Sequence, residues 1–127
     1  MRYNIRVLRE MIHVRQIEGE PRRRWFLGDT IDLTVWVSEA GGVVGFQLLY
    51  QDGHASRKAL SWKLGKGYAH ENLDEGETEP LQFDMSPMLT QDGILMKDRL
   101  LISFLNESAA IDKNIAEAVA SLIRNYP

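Results

Sequence analysis

The chain has 127 residues and no cysteine. Disulfides, thiolate metal ligands and cysteine nucleophiles are excluded together, and the composition fits a reducing cytosol. Long apolar runs are also missing. Leu100-Leu101-Ile102 is cut by Ser103 before Phe104-Leu105, far short of the roughly 20 residues a helix needs to cross a bilayer. No apolar signal segment follows Met1, because Arg2, Arg6, Arg9 and Glu10 interrupt that region. These absences lead to the expectation of a soluble cytoplasmic protein without a membrane partner. The four prolines, Pro21, Pro80, Pro87 and Pro127, are dispersed. With no linker, repeat or low-complexity tract, residues 1–127 are expected to form one domain.

Several chemical signatures are absent too. There is no G-x-S-x-G elbow, P-loop or dinucleotide fingerprint, no EF-hand loop and no HExxH pair. Gly65-Lys66-Gly67 is too short to cradle phosphate and suits a hairpin turn. No cofactor and no bound metal are therefore expected.

What the chain does contain is ordinary globular material, 44% apolar and 26% charged, which favours a packed core over disorder. Residues 1–21 are ambiguous: Ile5, Leu8 and Ile12 suit a helix face, whereas Ile12 and Val14 suit a strand. From Arg22 to Leu73 the pattern alternates. Arg22–Phe26, Ile31–Val37, Val43–Tyr50, Ala59–Leu64 and Tyr68–Leu73 read as strands of an antiparallel meander. Their apolar positions are Leu33, Val35 and Val37, then Phe46, Leu48 and Tyr50, then Leu60, Trp62 and Leu64. Residues 74–93 are acidic and loop-like, with a short extended piece at Met85–Leu89. Residues 94–127 predict a helical hairpin. Lys97–Glu107 has helical apolar spacing, and Asp112 caps a second helix with Ile115, Val119, Leu122, Ile123 and Tyr126 on one stripe. The class is α+β, an antiparallel sheet of about five strands with two C-terminal helices packed on one face.

The segments GEPRRRWF, DLTVWV, GFQLLY, ALSWKLGKGYAH and LDEGE, followed by SPML and DG, together resemble a small family of bacterial cytosolic proteins with no assigned function. The resemblance runs from about Gly19 onward. It implies a bacterial, cytosolic origin and carries over no catalytic residue.

Three groups of residues are candidates for function. The first is the polar face of the sheet, which by alternation gathers Asp32, Thr34, Trp36, Gln47, Ser61 and Lys63, with Arg23 and Trp25 nearby. One flat aromatic among hydrogen-bonding groups matches the makeup of a recognition surface for a protein or small molecule. The same pattern suits a plain solvent face, or a face buried in a homo-oligomer. The second group is His70, Glu71, Asp74, Glu75 and Glu77. An imidazole among carboxylates is what acid–base or metal-assisted catalysis needs, and a solvated strand end gives the same composition. The third is the Arg22–Arg24 run with Trp25, extended by Arg57, Lys58, Lys63 and Lys66 if the strands lie close. Arginine beside aromatics suits single-stranded nucleic acid.

Charge along the chain is uneven. Residues 1–24 carry seven arginines against Glu10, Glu18 and Glu20, whereas residues 71–98 carry eight acids against Lys97. With an overall charge of -3, internal pairing outranks phosphate binding. The leading expectation is a binding or interaction module without catalytic activity that uses the polar face. An enzyme centred on His70, Asp74 and Glu75 is the alternative, and a nucleic-acid binder stands third.

Overall fold

The computed structural model describes residues 7–51, 57–72 and 96–127. Six strands form one antiparallel sheet in sequence order: β1 (Arg9–Glu10), β2 (Arg22–Leu27), β3 (Ile31–Val37), β4 (Val43–Gln51), β5 (Arg57–Lys63) and β6 (Gly67–Asn72). Two helices follow, α1 (Lys97–Glu107) and α2 (Lys113–Arg124). The expected α+β class and the meander hold, with one strand more than expected. The extra strand, β1, is only two residues long, below the length at which alternation can be read. The acidic segment 74–93, including Met85–Leu89, lies outside the described residues.

Strand pairing places alternate residues on opposite faces. One face carries Phe26, Leu33, Leu48, Leu60 and His70 in one cross-strand row, and Arg24, Val35, Phe46, Trp62 and Tyr68 in the next. This is the face the helices cover. Leu100, Phe104, Ile115, Val119, Ala120 and Ile123 join Phe26, Leu33, Val35, Phe46, Leu48 and Leu60 in one buried cluster. Leu64 does not join it, because it lies in the β5–β6 turn and is exposed. Asp112 caps α2 as expected, its carboxylate accepting from the Asn114 N–H at 2.9 Å. Among the described residues no helix is long and apolar enough to cross a membrane.

The end of α1 is held by two elements distant in sequence. The Leu8 N–H donates to the Glu107 carbonyl at 2.7 Å, and the Thr30 hydroxyl donates to the Glu107 carboxylate. Gly28 lies against this junction. A Cβ there would stand 2.6 Å from Glu107 Oε1, and 3.0 Å from both the Ile31 carbonyl oxygen and Leu8 Cδ2. Close approach, rather than an unusual φ, therefore requires glycine. Gly28→Ala is expected to cost about 1–3 kcal/mol in chemical denaturation, the usual penalty for overpacking.

The outer edge of β2 is closed by a side chain. Gln16 accepts from the Arg23 N–H at 2.7 Å and donates to the Arg23 carbonyl at 2.8 Å. Its carboxamide thus takes the two hydrogen bonds a neighbouring strand would make, which protects an edge otherwise open to pairing.

Candidate functional site

The three consecutive arginines of β2 have three different environments. Arg24 lies on the helix side and is clamped. Its Nε and Nη2 donate to the two carboxylate oxygens of Glu10, each at 2.7 Å, and its Nη1 reaches Asp112 Oδ2 at 3.4 Å. The guanidinium also sits 5.6 Å above the Phe26 ring. One side chain thereby ties β1, β2 and the N-terminus of α2. The hydrogen bond from Arg24 holds the Glu10 carboxyl below its ordinary value of 4.5, against an opposing effect of burial. Glu10 in turn raises Arg24, and the backbone N–H of Asn114 is the main cause of a lowered Asp112.

A depressed carboxyl stabilises the fold above its unfolded value and loses that contribution as pH falls through the folded value. Stability should therefore decline with acidification below the ordinary carboxylate range. The Glu10 side chain is 39% exposed, so solvent screening limits its share to no more than about 1 kcal/mol. In thermal melts taken from about pH 6 to pH 3, Glu10→Gln should show a shallower acid-dependent fall in Tm than the unsubstituted protein.

Arg23 projects from the other face. It meets Glu20 at 3.5 Å and lies 5.8 Å over the Trp36 ring. Arg22 is exposed and makes no ion pair among the described residues. The run is thus no continuous strip of positive charge. The other basic residues do not extend it: Arg57 pairs with Asp32 at 2.9 Å, Lys58 donates to Asn72 at 2.9 Å, and Lys63 is buried.

Arg22 and Arg24 line a cleft of about 1000 Å³ where β2 begins and β3 ends. Its remaining walls include Glu10, Glu20, Val37, Ser38 and Glu39, with Gly19 and Gly41 at two turns. Both glycines have positive φ, 89° and 93°, a conformation that costs other residues more. Ser38 shapes its side of the cleft: its N–H donates to the Gly42 carbonyl and its hydroxyl accepts from the Gly42 N–H. Glu10 and Glu20 are neutralised by Arg24 and Arg23. Arg22 and Glu39, of opposite sign, are left without an ion pair among the described residues.

The polar face requires a correction. Alternation does bring its members together. Trp25, Thr34, Gln47, Ser61 and Ala69 form one cross-strand row, and Arg23, Trp36, Gly45, Lys63 and Gly67 the next. The face is nevertheless interior. Trp36, Gln47 and Lys63 are 1%, 3% and 2% exposed, and Thr34 and Ser61 are buried with them. Trp36, Gln47 and Lys63 all have interaction partners in the fold. Polarity suggested contact with solvent, but a buried polar group with partners inside the fold has the same sequence pattern. Trp36 is buried within a single chain, so no second copy is needed to cover it. Arg23, Trp25 and Asp32 remain partly exposed at the margin.

His70 is corrected in the same way. It is not at a solvated strand end but buried on the helix side. Its Nε2 lies 2.5 Å from the Tyr50 hydroxyl, the two rings stack at 6.0 Å, and Tyr126 meets it edge-on at 6.4 Å. Beside it the Tyr68 hydroxyl donates to the Leu122 carbonyl at 2.6 Å, and burial raises the Tyr68 pKa. His70 thus belongs to an aromatic seam between β6 and the end of α2. Asp74 and Glu75 lie outside the described residues. Among the described residues, no three of His, Asp or Glu are grouped so as to hold a metal ion.

Glu20 and Arg23 stand at a recognisable pairing distance in sequence, but nothing marked Gln16, Glu10 or Asp112 as partners of the arginine strand. Comparison with family models, curated proteins and solved structures gives no match.

Proposed function

We propose that the protein is a binding module without catalytic activity, and that its ligand enters the cleft at the arginine end of the sheet. One observation carries this reading. Among the described residues lining the cleft, the two charged side chains without an ion partner are Arg22 and Glu39, and they have opposite signs. The chemistry that complements them is a dipolar ligand, with a carboxylate for the guanidinium and an ammonium for Glu39. An amino acid or the end of a short peptide meets that description. Charge-assisted hydrogen bonds of this kind are the strong ones. The acid–base candidate His70, by contrast, is buried against Tyr50 and Tyr126. The nucleic-acid reading weakens because Arg23 and Arg24 are already neutralised, leaving little of the positive track that phosphates require.

The test is an amide NMR titration with zwitterionic dipeptides and with the same peptides capped at both ends. Uncapped peptides should shift resonances of Gly19, Arg22 and Ser38 to Gly41, and capped peptides should not. Arg22→Gln should weaken binding by about tenfold or more with no change in Tm. Equal binding of capped peptides, or no response at these residues, would overturn the reading.

A further inference from the structure

The helical hairpin carries apolar surface on its outside as well as its inside. Leu100 and Phe104 point into the core, whereas Ile102 and Leu105 are 60% and 47% exposed. Leu105 also forms one wall of a groove of about 390 Å³ between α1 and α2. Small residues, Ala109, Ala116 and the buried Ala120, keep the groove open, and its charged lining residues are Lys113, Glu117 and Arg124.

We infer that this outer face of the hairpin is a homodimer interface. The argument lies in the order of charge along α2. Glu117 and Arg124 are seven residues apart, so they share one side of the helix and are separated by about 10 Å along its axis. Neither has an ion pair among the described residues. A two-fold axis passing beside the exposed Ser121 sets two α2 helices antiparallel. It brings Glu117 of each copy opposite Arg124 of the other. A two-fold interface must be complementary to itself, and the Glu117 and Arg124 positions are, with Lys113 one turn beyond Glu117 towards the N-terminus of α2. Leu105 lies beside the same groove, so a partner seated there would cover it and remove apolar surface from water. The inference is independent of the cleft and its ligand.

Sedimentation velocity over a concentration series tests it. The protein should approach twice its 14.5 kDa chain mass as concentration rises. Leu105→Asp should shift it to monomer, with an unchanged Tm measured where the unsubstituted protein is monomeric. Glu117→Arg alone and Arg124→Glu alone should each weaken association by about tenfold, since like charges then meet at both symmetric positions. The double variant should restore it. A monomer at every concentration would overturn the interface. So would a dimer indifferent to Leu105→Asp, or single reversals that the double variant does not rescue.

Discussion

Val119→Asp should destabilise the protein strongly, shifting its unfolding midpoint far below that of the unsubstituted chain. Val119 has no exposed surface and sits mid-way along the stripe by which α2 meets the sheet. Its buried neighbours Ile115, Ala120 and Ile123 are apolar, as are Phe46 and Leu48 in the same cluster. A carboxylate placed there would lose its hydration and gain no cation. The cost should exceed about 4 kcal/mol, a range reached by few single substitutions. That is a large part of the roughly 5–15 kcal/mol by which a domain is stable. Far-UV circular dichroism and a denaturant titration provide the check. A variant with a native spectrum and an unchanged midpoint would show that α2 does not close the core.

The second large effect concerns Trp36. Its replacement by alanine should destabilise the fold by about 3–5 kcal/mol, the penalty for emptying a buried aromatic site. The size of this effect distinguishes two pictures of the polar face. Were Trp36 an exposed recognition anchor, its removal would change stability by no more than about 0.5 kcal/mol. With the indole 1% exposed and the Arg23 guanidinium 5.8 Å from its ring, the larger value is expected. Urea denaturation of the single variant decides between them. Arg23→Ala should show a much smaller loss, because that arginine is only partly buried.

How far the fold could be read from sequence is clearest in particular segments. Ile31–Val37 and Lys97–Glu107 have the expected boundaries, and Asp112 caps α2 where its spacing placed it. Arg22 and Arg24 fall on one face of β2, with Arg23 and Trp25 on the other, as alternation requires. These are consequences of local backbone geometry: a period of two or of 3.6 residues is written directly into the order of side chains. β1 escaped because two residues contain no period.

The candidate site was decided elsewhere. Arg24 finds Asp112 across 88 positions of sequence, and no local pattern encodes that meeting. Whether Trp36, Gln47, Lys63 and His70 face water or the interior depends on what the folded chain lays over them. Alternation put Trp36, Gln47 and Lys63 together on one face, as the strand pairing has them, whereas His70 was read only as a strand-end residue, and all four proved to be buried. Which residues share a face is thus written in the order of side chains, because direction follows from local dihedral angles. Which faces stay wet, and which charges among the described residues lack an ion pair, follow from the packing of distant segments. Burial and ion pairing are set by long-range contacts, and the spacing of residues along the chain does not contain them.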